Sequence, residues 1–409
     1  MTTGVGGSDA EAELARLASL PAMRDGVAPI AVEELGRRIA KVQGILRARD
    51  IGALYLDAST SAFYFTGVRF SPSERMHGVV IPAEGEIIFI SPAFEEAKLK
   101  TMMAFPAEAR CWEEYESPAA LAIDVIRGRG VQSGRIALDP ATPFFTFDAL
   151  RAVAGDRFQF VNGSVAINPC RMIKSQQEVA LIRRAMAITL EVQKAAARIL
   201  REGISTLEVA SFINKAHVAL GADGPAEFNI VLFGEPTAYP HGVPYPQALK
   251  KGDMVLMDCG ARLHGYLSDL TRSYVYGDAT VRQREIWSLA RRAADAAFDA
   301  AQIGVPCEEV DAAARRVIES AGLGPRYATP GLPHRTGHGL GLDVHEEPYI
   351  VEGGKTPLAA GMCFSNEPMI CVYGEFGVRL EDHICMTAEG PTWFTKPSAS
   401  VDEPFGAVA

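Results

Sequence analysis

A weak internal duplication in the second half of the chain constrains its fold more than any other feature. The segments GISTLEVASFINKAHVALG, from Gly203, and GVPCEEVDAAARRVIESAG, from Gly304, align at an offset of 101 residues. Each has the pattern of a helix, follows a longer helical segment and precedes strand-like sequence. Since this order occurs twice, we expect two half-domains that face each other and leave a cleft between their sheets.

The residues before the duplication predict a separate, smaller α/β domain. EELGRRIAKVQGILRARDIG has helical periodicity and precedes the strand ALYLD, while HGVVIPAEGEIIFISP predicts a hairpin turning at Ala83 to Gly85. After NPCRMIK, a capping box of Ser175 and Glu178 begins a helix that we expect to end at Gly203. The fold class is therefore α+β, with an N-terminal domain of residues 1–170 and a C-terminal domain of residues 171–409.

Composition excludes several classes of protein. The 409 residues carry a formal net charge of -10, which argues against a nucleic acid or an anionic membrane surface as partner. The N-terminus lacks the charged and apolar regions of a secretory signal, and no stretch has about 18 consecutive apolar residues, so we expect a cytoplasmic protein. Seven cysteines without a CxxC pair are expected to be reduced and mostly buried.

Two aspartates stand out in the segment GDMVLMDCGARLHGYLSDLTRSYVYG, which predicts two strands around the turn GARLHG. Asp258 and Asp269 are equidistant from the centre of this turn, so a symmetric hairpin sets them directly opposite each other, where like charges are destabilising. Asp258 also follows the apolar run MVLM, and an unpaired carboxylate in a buried strand is costly. A bound cation removes both problems. The alternative is that each aspartate caps a turn.

Two glutamates have a comparable setting. Glu367 ends GMCFSNEP, and Glu381 lies in GEFGVRLEDHICMT, a second predicted strand pair, although exposed acids on edge strands are an alternative. With His338 in HRTGHGLGLDVHEEP, the set has four carboxylates and one imidazole, which suits paired Mn, Co, Fe or Zn ions better than one structural zinc. Two ions that share carboxylates can hold a bridging hydroxide, so hydrolysis is the expected chemistry.

The series DCGARLHGYLSDLTRS, HRTGHGLGLDVHEEP, NEPMI and VRLED resembles the pita-bread metallopeptidases, namely prolidase, aminopeptidase P and, more distantly, methionine aminopeptidase. The resemblance covers about residues 170 to 400. It implies two pseudo-symmetric halves around a curved antiparallel sheet, after an N-terminal domain of the prolidase and creatinase type. It also implies a dinuclear centre, with manganese favoured over cobalt, zinc or iron, whose ligands are Asp258, Asp269, His338, Glu367 and Glu381, Asp269 and Glu381 being the bridging pair.

The resemblance implies further residues around the substrate. Glu367 is expected to shuttle a proton, His345 and His241 to stabilise the oxyanion, and His334 to lie close to the substrate. For His334 and His241, a loop or turn histidine without a catalytic role is the alternative. Arg379 shares a strand face with Glu381, so it is expected either to support the ligand carboxylates or to bind a substrate carboxylate. Tyr266 is a weaker candidate, because a core aromatic is at least as plausible there.

The activity implied is hydrolysis of the Xaa-Pro bond of a small peptide, with dipeptides favoured over the longer substrates of aminopeptidase P, in a homodimer. One departure is that Met369 and Cys371 follow the Glu-Pro pair where many of these peptidases have Gly and Tyr. Hydrolysis of a small non-peptide substrate, as by creatinase or ectoine hydrolase, therefore stays open. A sulfonium-propionate lyase is disfavoured because Leu256 replaces its extra aspartate, and a non-catalytic binding module is disfavoured because no ligand is missing.

Overall fold

The computed structural model describes residues 2–405 of the chain. These residues form two compact units. One consists of Ile30–Arg171, and the other combines the segment up to Pro29 with the chain from Met172 onward. The predicted N-terminal domain of residues 1–170 therefore differs from the first unit in its opening segment.

The first helix explains this difference. Helix α1 (Ala10–Ala18) carries Leu17, which is fully buried in an apolar cluster with Val192 and Phe212 of the second unit. Glu13 of the same helix forms an ion pair with Arg198, with 3.0 Å between Oε1 and Nε. These partners lie far along the chain, so local sequence patterns gave no signal for the contact.

The unit Ile30–Arg171 is an α/β domain around one six-stranded sheet, and it contains both the predicted amphipathic helix and the predicted hairpin. Its elements are α2 (Val32–Ala48), β1 (Ile51–Asp57), α3 (Thr60–Thr66), β2 (Gly78–Pro82), β3 (Ile88–Pro92), α4 (Glu96–Met102), β4 (Glu108–Trp112), α5 (Pro118–Gly128), β5 (Gly134–Leu138), α6 (Phe144–Ala154), β6 (Phe158–Asn162) and α7 (Ser164–Arg171). The strand order is β4-β3-β2-β1-β5-β6. Strands β1, β2 and β3 pair antiparallel, and the other pairs are parallel.

The first half of the second unit has two helices followed by strands. Its elements are α8 (Gln176–Arg198), α9 (Thr206–Ala219), β7 (Phe228–Phe233), β8 (Met254–Gly260), β9 (Arg262–Leu263), β10 (Tyr266–Leu267) and β11 (Leu270–Val275). Strands β11, β8 and β7 form an antiparallel sheet in that order, and β9 and β10 extend its hairpin. Both helices pack on the sheet through one apolar cluster that includes Val192, Ile213 and Met257.

Helix α8 begins at the predicted capping box but is shorter than predicted. Ser175 and Glu178 each accept a hydrogen bond from the other's backbone N–H. The helix ends at Arg198 and does not continue to Gly203, because Leu200 turns into the apolar core and the Gly203 N–H bonds to the Leu249 carbonyl instead. The last five residues of the predicted helix are therefore a connection to α9.

The second half repeats the order of long helix, shorter helix and strands, which confirms the predicted duplication. Its elements are α10 (Val281–Ala300), α11 (Cys307–Ser320), β12 (Gly337–Gly339), β13 (Glu346–Ile350), β14 (Cys363–Asn366), β15 (Met369–Val372), β16 (Phe376–Arg379), β17 (Asp382–Thr387) and β18 (Gly390–Trp393). Five strands form an antiparallel sheet in the order β13-β12-β14-β17-β18, and β15 pairs with β16.

All seven cysteines are free, and all except Cys111 are buried, as predicted. No helix within residues 2–405 combines the length and the apolar character that crossing a bilayer requires.

Candidate metal centre

Carboxylates from both halves of the second unit meet where the halves join. An isolated bridge links Thr271 of β11 to Glu381, which lies between β16 and β17. The Thr271 hydroxyl donates to Glu381 Oε2 at 2.5 Å, and Asp258 of β8 lies directly across the strand pair from Thr271. Arg272 holds the same junction, because it pairs with Asp382 at 2.7 Å and donates to the Glu381 carbonyl at 2.8 Å.

The structure brings the five predicted ligands into this cluster. His338 Nε2 lies 3.1 Å from Glu367 Oε1 and 3.5 Å from Asp269 Oδ2. Ligand atoms of His338, Glu367 and Glu381 all lie within 4.8 Å of one another. Asp258 is also close to Asp269. Burial is the largest cause that raises the pKa of Asp269, and the charge of Asp258 is the next largest.

One detail of the predicted hairpin is wrong. Asp258 pairs with Thr271 rather than with Asp269. The turn is centred between His264 and Gly265, which both have positive φ. This centre lies one residue later than predicted, so the cross-strand partner of each residue shifts by two positions. Asp269 is therefore the diagonal neighbour of Asp258 on the same face of the sheet, which still sets the two carboxylates close together.

The imidazole of His338 has a fixed orientation. Its backbone N–H donates to Ser365 Oγ at 2.9 Å, and its Nδ1 lies 3.1 Å from the Gly339 carbonyl. A proton on Nδ1 satisfies that carbonyl, so Nε2, which faces the carboxylates, can offer its lone pair to a metal ion once Nε2 has lost its own proton. Gly337 permits this packing, because a Cβ there would lie 1.9 Å from the Ser365 carbonyl oxygen.

The sequence reasoning missed His383. This residue forms a second group with Asp269 and Glu381 in which the ligand atoms lie within 4.8 Å of one another. His383 is fully buried, and neither of its ring nitrogens meets hydrogen-bond geometry with any residue in the described range. The signal was its spacing, since a residue two positions after Glu381 lies on the same strand face.

Arg379 supports a ligand carboxylate. Its Nη2 donates to Asp258 Oδ2 at 2.5 Å, its Nε donates to Thr271 Oγ1 at 3.1 Å, and its Nη1 donates to the Pro240 carbonyl at 2.9 Å. The residue is 3% exposed. Of the two predicted roles, the geometry favours support of Asp258, because the guanidinium is enclosed and its donors are engaged.

The protein groups alone hold an excess of negative charge. Burial, followed by repulsion between the carboxylates, raises the pKa of Asp269 and of Glu381 well above their ordinary values. Burial also raises the pKa of Asp258 against the opposing charge of Arg379. Glu367 differs: burial opposes its ionisation, but the hydrogen bond and charge of His338 outweigh burial and hold its pKa below the usual range.

This donor set fits divalent cations. Among the described residues, the buried Asp258 Oδ1 and Glu381 Oε1 have no hydrogen-bond partner, although buried polar atoms are normally satisfied. Carboxylate and imidazole donors suit Mn²⁺, Zn²⁺ and related ions, whose charge would also relieve the repulsion between the carboxylates. Glu381 belongs to both three-residue groups, so it lies between two candidate positions for an ion.

Three further predicted residues surround the cluster. The ring of His345 lies edge-on to that of His338, with 4.1 Å between centroids, and burial followed by the charge of His338 lowers its pKa to about 4. Burial likewise lowers the pKa of His334, whose Nδ1 is 2.6 Å from the Arg335 carbonyl. His241 is exposed and follows Pro240, the residue whose carbonyl Arg379 contacts.

The remaining sequence candidates lie in the interior. The Tyr266 hydroxyl donates to Glu178 at 2.9 Å and its ring is fully buried, so the core interpretation is favoured. Met369 and Cys371, the departure from the family pattern, are also fully buried. The sulfur of Met369 lies 3.7 Å from Arg379 Nη1, so this residue contacts the group that supports Asp258.

Comparisons with known proteins agree with this geometry. The profile of metallopeptidase family M24 matches residues 180–388, just over half of the chain and all of the cluster. This chain belongs to metallopeptidase family M24. The profile of the creatinase/prolidase N-terminal domain matches residues 38–173, so the two-domain architecture with a C-terminal pita-bread domain is confirmed. Membership of this family implies divalent metal ions at the cluster.

Individual relatives narrow the group within family M24. The YkvY protein of Bacillus subtilis is 34% identical over 363 residues, which cover 88% of this chain and 97% of that protein. The dipeptidase PepE from Mycobacterium ulcerans superimposes with a TM-score of 0.84 and 32% identity, covering 93% of this chain and 99% of its own. A prolidase from Thermococcus sibiricus gives a TM-score of 0.81 and 32% identity over 88% of this chain and 96% of its own. The chain is thus a dipeptidase-like or prolidase-like M24 metallopeptidase.

Proposed function

We propose that this M24 metallopeptidase is an Xaa-Pro dipeptidase with a dinuclear metal centre, for which manganese is the favoured ion. The observation that carries the proposal is the sharing of Glu381 between two groups of candidate ligands, each with ligand atoms within 4.8 Å of one another. Names of similar structures support the substrate class, since two of them are a dipeptidase and a prolidase. A homodimer in the cytoplasm is the expected state and location.

The proposed ligands are the five predicted residues, with His383 as an added neighbour. Asp258, Asp269, His338, Glu367 and Glu381 would hold the two ions, with Glu381 common to both groups of candidate ligands. Such a centre would supply Lewis-acid polarisation of the peptide carbonyl and would activate a water molecule for attack near neutral pH. Residues of the chain would carry out proton transfer, oxyanion stabilisation and substrate binding.

Glu367 is suited to move a proton. Its side chain is 13% exposed, against 5% for Asp269, so Glu367 is the more accessible to substrate. One of its oxygens is held by the Ser365 hydroxyl at 3.0 Å and by His338, which leaves the second oxygen to face substrate. For a bond to proline the leaving nitrogen has no hydrogen of its own, so its protonation by Glu367 is an essential step.

His345 and His241 would stabilise the oxyanion that develops on the peptide carbonyl. With its pKa lowered to about 4, His345 would be a neutral imidazole near pH 7, which has one N–H to donate to the oxyanion. His334, held 2.6 Å from the Arg335 carbonyl, would line the substrate site. Arg379 would act only indirectly, because it orients Asp258 and its charge opposes the rise in the pKa of Asp258 that burial causes.

A second candidate is a hydrolase of a small non-peptide amide or amidine. The observation that favours it is the buried Met369, which contacts Arg379 where many of these peptidases have a different residue. Aminopeptidase P activity on longer peptides is the nearer alternative. The three possibilities differ in substrate rather than in the ligand set.

The test is hydrolysis by protein stripped of metal and reloaded with Mn²⁺. The panel contains several Xaa-Pro dipeptides, an Xaa-Pro-Xaa tripeptide and creatine, and the matched control is Glu367→Gln. We expect dipeptide cleavage that requires both the metal and Glu367. Cleavage of the tripeptide alone would favour aminopeptidase P, whereas cleavage of creatine alone would contradict the peptidase assignment.

A further inference from the structure

The substrate proposed above carries a negative charge close to the bond that is cut. In an Xaa-Pro dipeptide, the carbon of the free carboxylate lies about 2.5 Å from the scissile nitrogen, since only one Cα separates them. Recognition of that carboxylate therefore needs a cation at the edge of the metal cluster. Arg379 does not meet this need, because it is 3% exposed and holds Asp258, Thr271 and the Pro240 carbonyl.

Arg335 is an exposed cation close to the cluster, unlike Arg272 and Arg379, which are buried. The guanidinium of Arg335 lies 4.4 Å over the ring of Tyr349. Tyr349 is the cross-strand partner of His338, and directly opposed residues of an antiparallel pair point to the same face. The Arg335 guanidinium therefore lies above the sheet face that carries His338. Within residues 2–405, no carboxylate lies in ion-pair distance of it.

The backbone on both sides of Arg335 is held by buried groups. On one side, Arg315 Nη2 donates to the His334 carbonyl at 2.6 Å. On the other side, the Thr336 backbone N–H donates to Asp311 Oδ1 at 3.1 Å and its hydroxyl donates to the same oxygen at 2.7 Å, and Asp311 is itself paired with Arg315 at 2.8 Å. A fixed backbone lowers the entropy lost when a flexible side chain orders on a ligand. The loop thus presents one free guanidinium at a defined place.

We propose that Arg335 binds the free C-terminal carboxylate of the substrate and thereby sets the preference for dipeptides. This inference rests on the proposed function and names the group of the substrate that is recognised. A planar guanidinium can take a carboxylate through two parallel hydrogen bonds. In a longer peptide that carboxylate becomes a neutral amide, so the contact is lost and the longer substrate is disfavoured.

The experiment compares Ala-Pro with its C-terminal amide, Ala-Pro-NH₂, on Mn²⁺-loaded full-length protein. Loss of a charge-assisted hydrogen bond predicts that Arg335→Gln lowers kcat/KM for Ala-Pro by roughly 10- to 100-fold, mainly through KM. The same variant should leave kcat/KM for the amide within about twofold, and Arg335→Lys should fall between. Arg292→Gln, which removes an exposed arginine from α10, is the matched control and should change neither substrate.

Equal loss on both substrates, or no loss on either, would overturn the role of Arg335. Calorimetric binding of proline and prolinamide to the loaded protein separates this result from failure of the proposed function. Weaker binding of proline alone in Arg335→Gln supports the carboxylate contact even if no peptide is cleaved. Unchanged binding of proline in that variant rejects it, and absence of peptide cleavage by the unmodified protein rejects only the dipeptidase assignment.

Discussion

Replacement of Arg379 by methionine tests how the cluster is held together before metal binds. Arg379 is 3% exposed and Asp258 is 7% exposed, and Nη2 and Oδ2 are 2.5 Å apart. Removing one partner of such a buried pair leaves an uncompensated charge and costs about 3 to 5 kcal/mol. We expect Arg379→Met to lower the free energy of unfolding of the metal-free second unit by this amount at about pH 8.

Asp258→Asn, the variant of the partner residue, should lower the free energy of unfolding by less than Arg379→Met does. After Asp258→Asn, the guanidinium still faces the charges of Glu367, Glu381 and Asp269. The double variant leaves neither charge unpaired, so its loss should fall short of the sum of the single losses by about 2 kcal/mol or more. Mn²⁺ should recover part of the Arg379→Met loss, because a cation beside Asp258 supplies the missing charge.

The assay is urea unfolding in chelator, followed by tryptophan fluorescence. Trp112 lies in the other unit, so a Trp112→Phe background leaves Trp287 and Trp393 as reporters of the unit that holds the cluster. A loss below about 1 kcal/mol for Arg379→Met, or strictly additive losses in the double variant, would refute the account of Arg379 as the partner of Asp258.

Other variants test separate parts of the account. Burial raises the pKa of Asp57 to about 6, so between about pH 4 and 6 the folded domain keeps a proton that the unfolded chain releases. The free energy of unfolding should therefore fall by about 3 kcal/mol as pH rises from about 4 to 6. Asp57→Asn should remove this pH dependence in urea unfolding followed through Trp112, and a pH dependence equal to that of the unmodified protein would contradict the prediction. Gly337→Ala places a Cβ 1.9 Å from the Ser365 carbonyl oxygen and should lower the free energy of unfolding by about 3 kcal/mol, measured by thermal unfolding. Gly36→Ala, in helix α2 with open space around it, should raise that free energy by about 0.5 to 1 kcal/mol. Equal effects of the two variants would show that the close approach at Gly337 is unimportant. His345→Gln should lower kcat about 100-fold without changing the metal content measured by mass spectrometry, and unchanged kcat would exclude His345 from oxyanion stabilisation.

The fold was predictable where the signal is local. The capping box at Ser175 and Glu178 marked the start of α8, and the turn residues Ala83 to Gly85 marked a hairpin, because caps and turns depend on neighbouring residues. The end of α8 and the place of α1 were not predictable in this way. Both depend on apolar contacts between residues far apart in sequence, which periodicity does not report.

In the candidate site too, local sequence indicated some residues, whereas others depend on contacts that only the fold creates. Carboxylates in apolar segments indicated Asp258 and Asp269, since buried charge in a strand needs a partner. The predicted strand register was wrong because the turn lies one residue later than expected, and the symmetry of the sequence does not determine where the chain reverses. Arg272 and Arg315 were missed altogether. Their ion pairs with Asp382 and Asp311 hold the junction and the loop before His338, and only the folded chain brings these partners together.

The most direct test of the central claim is a titration of metal-free protein with Mn²⁺ while the rate of Xaa-Pro dipeptide hydrolysis is measured. A dinuclear centre with Glu381 between two ions predicts that the rate rises until about two equivalents per chain are bound and then stays constant. Full activity before any metal is added, or no dipeptide hydrolysis with two ions bound, would contradict it.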